Sequence, residues 1–153
     1  MLQSPVLGLV VLCGVLEPHG INVEAHREQP AAVIRVLVVD DHDLIRFALS
    51  SALDAVEEFE VIGTCADGAE AVEAAARVRP DVIVMDLFMP GMGGLDATRQ
   101  ILAGDPQTRV VVLSAGGGTR DVSDALAAGA SEFLSKDAGL DALICAVRGP
   151  GTV

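Results

Sequence analysis

The stretch VIRVLVVDD, at residues 33–41, decides the fold, because a continuous run of Val, Ile and Leu is typical of a parallel strand that is buried on both faces. Three more apolar runs end on a polar residue: VIVMD on Asp86, RVVVLS on Ser114 and EFLSK on Lys136. Ligands of open α/β sheets bind outside the carboxyl ends of the strands. We therefore expect the four strand ends to converge on one site that contains carboxylates, a hydroxyl and an ammonium group.

From Val33 onward, strand-like runs alternate with segments of helical periodicity, and EVIGTC at 60–65 is a further predicted strand. Five βα units with right-handed crossovers predict an α/β domain, a doubly wound three-layer αβα sandwich. The predicted helices are one from about Leu44 that ends before Glu60, one between Asp67 and Pro80, one over Leu95–Leu102, one around Val122 to Leu126, and one near Leu140–Val147. Asp67 should cap its helix, and the residues expected to face inward there are Ala69, Val72, Ala75 and Ala76.

The composition of the 153-residue chain fits one domain and argues against several function classes. A net charge of −12 disfavours a surface that binds duplex nucleic acid. Aromatic residues make up 3% of the chain, so stacking platforms for bases are largely absent. Cys13, Cys65 and Cys145 show no CxxC spacing and are expected to be small buried apolar residues in a reducing cytosol.

The first thirty residues differ from the rest of the chain. The apolar segment from Leu2 to Leu16 is shorter than the roughly 20 residues that cross a bilayer, and no Lys or Arg precedes Arg27 as in the basic leader of a secretory signal. We therefore favour a mature protein that begins near Val33, which a bacterial alternative start codon could encode. An ordered or docking extension and an export signal are the alternatives.

Three carboxylates should meet at the predicted site. Asp40 and Asp41 are adjacent at the end of the first strand, and Asp86 ends a neighbouring strand. Like charges about 4 Å apart repel by roughly 4 kcal/mol at an effective dielectric constant of 20, so the cluster requires a cation. Mg²⁺ suits carboxylates and a phosphate oxygen, whereas Zn²⁺ would need His or Cys ligands, and we expect no such set nearby. An isolated Asp-Asp pair is more often a turn or a helix N-cap, but repeated acidic strand ends favour a metal site.

Asp86 is the best candidate for a nucleophile, because a carboxylate can accept a phosphoryl group when cations neutralise the incoming charge. Lys136 can follow a phosphoryl oxygen as a mobile positive charge, and the hydroxyl of Ser114 can donate one hydrogen bond to it. Taken alone, Lys136 would more often be a solvated surface residue. The combination of all three predicts phosphoryl chemistry.

These residues resemble the receiver domain of bacterial two-component response regulators, in particular the NarL/FixJ (LuxR-type) subgroup. The resemblance covers about Val33 to Val147 and rests on the blocks VLVVDDHDLIR, ADGAEAVE, PDVIVMDLFMPGMGGLDATRQI, VVVLSA and AAGASEFLSKDA. It implies a flavodoxin-like five-stranded parallel sheet with strand order 2-1-3-4-5. The chain then divides into an N-terminal extension (1–32, poorly ordered or outside the mature protein), a receiver domain (33–148) and a C-terminal tail (149–153).

The resemblance also implies roles for the acidic residues. Asp86 would be the phosphoacceptor, and Asp41, Asp86 and the backbone carbonyl of Phe88 would bind Mg²⁺. Asp40 would assist through water. Mg²⁺ is the one cofactor that the resemblance implies.

A switch and a set of partners follow from the same resemblance. Ser114 and Lys136 would contact the phosphoryl group, and Phe133 matches the switch aromatic residue that repacks when Ser114 moves toward it. A sensor histidine kinase would supply the phosphoryl group, and the phosphorylated state would act on a second copy or a protein target by population shift. We expect a cytoplasmic signalling protein that binds neither nucleic acid nor membrane, with no enzyme activity except its own phosphorylation and hydrolysis.

Three alternatives remain open at the level of sequence. The chain could be the front half of a NarL-type transcription factor, since that subgroup continues into a helix-turn-helix domain and this sequence ends soon after Val147. A haloacid-dehalogenase-like phosphatase would use DHD at 41–43 as its DxD motif, but needs another acidic metal site well beyond Lys136. An unphosphorylated pseudo-receiver would normally have lost one of the five polar residues.

The sequence departs from the family pattern at a few positions. Phe88 stands where a polar or basic residue is common and Gly93 where an acidic one is usual, so the rate of phosphoryl loss cannot be carried over. Asp137 follows Lys136 in place of proline. The three glycines at 116–118 replace a more polar loop and serve either as a pliant connector or as a tuned hinge.

Overall fold

The computed structural model describes residues 32–151 of the chain. Strands and helices alternate along this range in the order expected from the sequence. The strands are β1 Ile34–Val39, β2 Phe59–Cys65, β3 Val82–Asp86, β4 Arg109–Ser114 and β5 Glu132–Ser135. The helices are α1 Asp43–Asp54, α2 Gly68–Val78, α3 Gly94–Gly104, α4 Thr119–Ala127 and α5 Leu140–Arg148, with a 3₁₀ turn at Lys136–Ala138. The hypotheses about the N-terminal extension fall outside the described residues.

The strands form one parallel sheet in the order β2-β1-β3-β4-β5. This confirms the doubly wound fold and the order that the resemblance implied. In the register, Asp86 at the end of β3 pairs with Leu113, and Ser114 at the end of β4 pairs with Ser135. The polar strand ends therefore lie side by side at the carboxyl edge of the sheet.

Two apolar layers cover the sheet, one on each face. One layer combines strand residues with side chains of α2, α3 and α4, and the other combines them with side chains of α1 and α5. Because both faces are covered, the strand runs contain no polar alternation, and Val36, Val38 and Val84 are almost completely buried. This arrangement explains the continuous Val/Ile/Leu runs in the sequence.

The prediction for α2 is partly right. Asp67 caps the helix by accepting a hydrogen bond of 2.8 Å from the Glu70 backbone N–H. The predicted inward face is wrong at Ala69 and Ala76, which are exposed. The residues buried in this helix are Gly68, Ala71, Ala74 and Ala75. An alanine-rich helix has small apolar side chains on every face, so hydrophobic periodicity assigns its buried face poorly.

The prediction that the cysteines are buried holds for one of the two that the structure describes. Cys65, at the end of β2, is buried, and burial together with the nearby charges of Glu70 and Asp67 raises its pKa to about 11. Cys145 on α5 is exposed, which contradicts the expectation for that residue. It lies on the outer side of a helix whose inward residues, Leu143 and Ala146, pack on the sheet. Cys13 lies outside the described range.

Helix α3 packs very closely against β3. A Cβ atom at Gly94, the first residue of the helix, would collide with the backbone carbonyl oxygen of Asp86. The Gly94 N–H donates a hydrogen bond of 3.0 Å to the carbonyl of Leu87. Glycine at this position therefore lets the helix begin directly against the strand end that carries Asp86. Within residues 32–151, no helix combines the length and the apolar character needed to cross a membrane.

Candidate functional site

The three predicted carboxylates meet at the carboxyl edge of the sheet. Asp40 follows β1, Asp86 is the last residue of β3, and both are almost fully buried. One ligand atom from each of Asp40, Asp41, His42 and Asp86 can be chosen so that all four lie within 4.8 Å of one another. The structure therefore brings the acidic strand ends together, as the sequence predicted.

Lys136 joins this cluster from the end of β5. Its Nζ lies 2.7 Å from Asp40 Oδ2 and 3.2 Å from Asp86 Oδ1. The Lys136 side chain is 16% exposed, so it is not the solvated surface lysine of the alternative interpretation. One ammonium group faces three carboxylates, which leaves negative charge in excess.

The pKa values of Asp86 and Lys136 reflect this crowding. Burial raises the pKa of the Asp86 carboxyl, the charge of Lys136 opposes that rise, and the charge of Asp40 adds to it. For Lys136, burial alone would lower the pKa, but the hydrogen bond to Asp40 and the charge of Asp86 outweigh burial and raise it. The ammonium is thus held in its charged form, while the charged form of Asp86 is disfavoured unless a further cation is present.

The donor set fits a divalent cation such as Mg²⁺. Asp41 Oδ1 is buried and has no hydrogen-bond partner among residues 32–151. Leaving a buried carboxylate oxygen unpaired is costly, and a hard cation that takes oxygen ligands would remove that cost. The side chain of Phe88 is exposed, two residues after Asp86. The participation of its carbonyl group stays a prediction.

Ser114 and Phe133 lie on one face of the sheet at the β4–β5 pair. Ser114 is fully buried, and its Oγ accepts a hydrogen bond of 3.3 Å from the Gly116 backbone N–H. Phe133 pairs with Val112, and paired residues of parallel strands share a face, so its ring projects on the same side as Ser114. The ring is half-buried beside the glycine loop, where a Cβ atom at Gly117 would lie 3.2 Å from Phe133 Cε1.

Two further residues at this site, Arg46 and His42, were not predicted from the sequence. Arg46 on α1 donates a hydrogen bond of 2.7 Å from Nη1 to the backbone carbonyl of Asp40 and forms an ion pair with Asp43. It thereby fixes the loop that carries the first two carboxylates. His42 places its Nδ1 3.1 Å from Asp41 Oδ1, so one imidazole lies beside the carboxylates, where we expected no set of His or Cys ligands. Its direct adjacency to the Asp-Asp pair was the available signal.

Comparison with known proteins agrees with this geometry. The sequence profile of a family described as response regulator receiver domain matches residues 36–148. Response regulator GacA of Pseudomonas viridiflava is 40% identical over 116 residues, which cover 76% of this chain and 54% of that protein. The chain thus spans about half the length of such curated relatives.

Solved structures give the same result. The signal receiver domain of NarL from Mycobacterium tuberculosis superposes with a TM-score of 0.71 at 34% identity, covering 77% of this chain and 98% of that one. A chain in the CheX–CheY–BeF3–Mg²⁺ complex of Borrelia burgdorferi matches with a TM-score of 0.69 at 31% identity, covering 74% of this chain and 85% of that one.

Proposed function

Since the chain belongs to the response regulator receiver domain family, we propose that it accepts a phosphoryl group on Asp86 and changes conformation in response. The observation that carries the proposal is the position of Lys136 Nζ, 2.7 Å from Asp40 and 3.2 Å from Asp86 in one buried cluster. In this proposal residues 33–148 form the receiver domain. Its own phosphorylation and hydrolysis are the only reactions it carries out.

The chemistry follows from the charges at the site. A carboxylate oxygen of Asp86 would attack the phosphorus atom of the donor, the bond to the leaving group would break, and an acyl phosphate would form. Lys136 would pair with the incoming phosphoryl oxygens, because its ammonium already lies beside the reacting carboxylate. Mg²⁺, held by Asp41, Asp86 and the Phe88 carbonyl with Asp40 acting through water, would neutralise the remaining negative charge. The likeness to a chain in a complex with BeF3 and Mg²⁺ supports this assignment.

The response would run through Ser114 and Phe133. The Ser114 hydroxyl accepts from the Gly116 N–H and can donate its own proton to a phosphoryl oxygen, and movement toward that oxygen would stretch the contact with the glycine loop. The ring of Phe133 is half-buried on the same face and could fill the space that Ser114 leaves. Phosphorylation would then act by population shift, since the contact between Ser114 and the phosphoryl group forms only in the conformation in which Ser114 has moved and Phe133 has repacked.

A sensor histidine kinase is the proposed phosphodonor, and exposed apolar side chains mark where it would dock. Leu44 and Phe47, on the first two turns of α1, are 80% and 69% exposed, and Phe88 is 61% exposed. Leu44 and Phe47 follow Asp41 closely in the sequence, and Phe88 follows Asp86, so all three lie on segments adjacent to the carboxylates. Large exposed apolar side chains of this kind are typical of protein contact sites. A kinase that uses ATP would place the chain in the cytoplasm, with a second copy or a protein target as the partner of the phosphorylated state.

The alternatives differ in their support. The family match leaves the haloacid-dehalogenase-like phosphatase without support. A role as the receiver part of a transcriptional regulator is the second candidate function, because GacA and similar relatives are about twice as long as the matched region. DNA binding in such a protein would come from a part that lies outside the receiver match.

Phosphorylation of the purified chain with acetyl phosphate and Mg²⁺ tests the proposal. We expect intact-mass spectrometry to show the gain of one phosphoryl group on the wild-type chain and on the control variant Asp96→Asn, which changes an exposed aspartate of α3. The Asp86→Asn variant should gain none, because an amide is a poor nucleophile. An equal phosphate gain on Asp86→Asn and wild type would refute the assignment.

A further inference from the structure

We propose that the imidazole of His42 is an additional ligand of the metal site. It would coordinate divalent transition-metal ions such as Co²⁺, whereas Mg²⁺ would bind through the oxygen ligands alone. The inference rests on the proposed metal site and adds a histidine to its ligands. His42 is the residue immediately before α1 and follows the two aspartates directly. Neither the family match nor the resemblance assigns it a role.

The spacing of the side chains is that of neighbouring ligands on one ion. His42 Nδ1 lies 3.1 Å from Asp41 Oδ1 and 3.5 Å from Asp40 Oδ1. With metal–ligand bonds of about 2.1 Å, adjacent ligands of an octahedral ion are about 3 Å apart. Asp86 offers an oxygen within 4.8 Å of the same group. Two ligands of one such ion are at most about 4.2 Å apart, so a small movement of a side chain would let one cation contact the imidazole and the carboxylates together.

A hydrogen bond does not account for the contact between His42 and Asp41. Asp41 Oδ1 is buried without a hydrogen-bond partner in the described part of the chain, even though the imidazole nitrogen is 3.1 Å away. The two atoms are close but do not have the geometry of a donor and an acceptor. Both therefore remain free to bind the same third atom.

The chemistry of the imidazole determines which ions it would favour. Neutral imidazole suits Co²⁺, Ni²⁺ and Zn²⁺, whereas Mg²⁺ prefers oxygen ligands and keeps several waters. The His42 side chain is 66% exposed, so the ring can turn into solvent when Mg²⁺ occupies the site. His42 should thus contribute to the binding of transition-metal ions and contribute little to the binding of Mg²⁺.

Calorimetric titrations with Co²⁺ and with Mg²⁺ test this inference on the tag-free chain. The sequence has three histidines, so His26→Ala serves as a matched control that removes an imidazole elsewhere. We expect His42→Ala to weaken Co²⁺ binding at least about tenfold, which is the lower end of losses seen when even a supporting residue of a metal site is removed. Mg²⁺ affinity should stay within about twofold, which also shows that the variant is folded.

Proton NMR of the Co²⁺-loaded chain gives a second readout that needs no folded variant. We expect a strongly shifted ring N–H resonance, because coordination through Nδ1 leaves the proton on Nε2 close to the paramagnetic ion. Equal Co²⁺ affinities for wild type and His42→Ala, or no shifted ring resonance in the wild type, would overturn the inference and leave the Mg²⁺ site intact. Failure of the wild-type chain to bind Mg²⁺ would overturn both this inference and the proposed metal site.

Discussion

Lys136 and Asp40 are 96 residues apart in the sequence, and a hydrogen bond of 2.7 Å joins the ammonium group of one to the carboxylate of the other. The contact ties the end of β5 to the end of β1 across the intervening strands β3 and β4. Lys136 is also the one lysine in the sequence. Its reactivity toward an amine-selective reagent therefore reports on the state of the site.

Acylation of Lys136 should be slow in the folded chain. Its raised pKa keeps the amine protonated and its burial limits access, so near pH 8 we expect an amine-selective acetylating reagent to modify the α-amino group first. Asp40→Asn should speed modification of Lys136 several-fold, because it removes the main partner that raises the pKa. Peptide mass spectrometry measures both sites. Labelling of Lys136 as fast in the folded as in the urea-unfolded chain would contradict the buried ion pair.

Removing the charge of Asp86 should stabilise the chain when no divalent cation is present. The pKa of Asp86 is raised in the folded state, so the folded chain binds more protons than the unfolded chain and loses stability as pH rises through that interval. At pH 7 we expect Asp86→Asn to raise the free energy of unfolding, because it removes a buried negative charge that lies beside the carboxylate of Asp40. Urea unfolding measures the gain.

That gain should shrink as the pH falls toward the pKa of Asp86 and when Mg²⁺ is added, because both conditions neutralise the wild-type carboxylate. Asp96→Asn is the matched control, since Asp96 is exposed and, among residues 32–151, pairs only with Arg99 one helical turn away. It should leave stability within about 0.5 kcal/mol of wild type. A destabilised Asp86→Asn variant at pH 7 would show that excess negative charge does not dominate the site.

The exposed apolar residues of α1 should matter for protein phosphodonors and not for small ones. We expect Phe47→Ser to lower the rate of phosphotransfer about tenfold from a histidine kinase that phosphorylates the wild-type chain, because apolar anchors carry much of an interface energy. Phosphorylation by acetyl phosphate should not change. Leu126→Ser is the matched control, as Leu126 is an exposed apolar residue of α4, on the other face of the sheet. Equal losses in both variants, or a loss with acetyl phosphate, would argue against docking on α1.

Gly117 should be the sensitive position of the glycine loop. A methyl group there would lie 3.2 Å from Phe133 Cε1, a tight contact, whereas a methyl group at Gly116 would meet nothing within 4 Å. We expect Gly117→Ala to move the ring resonances of Phe133 and to alter its response to beryllofluoride, a phosphoryl mimic. Gly116→Ala should resemble wild type. Indistinguishable ring spectra for the two variants would favour the pliant connector over a tuned hinge.

The sequence predicted the sheet and its acidic edge well, because a buried parallel strand and a strand end both leave a clear linear pattern. It predicted the inward face of α2 poorly at Ala69 and Ala76, where side chains of one kind occupy all faces of the helix. The positions of His42 and Arg46 depend on how the β1–α1 loop turns, and no periodicity encodes that turn. Cys145 was expected to be buried because of its residue type, but it lies on the outer side of α5, away from the buried Leu143 and Ala146.

The close approach of α3 to β3 at Gly94 has a consequence for how mutations in this chain would be tolerated. In a library of variants selected only for folding, substitutions at Asp86 should survive, since the charge of that carboxylate destabilises the metal-free chain. Substitutions at Gly94 should be lost in the same selection, because any side chain would meet the carbonyl oxygen of Asp86. Gly94 should therefore be invariant whenever folding is selected, whereas Asp86 should be invariant only when signalling itself is selected.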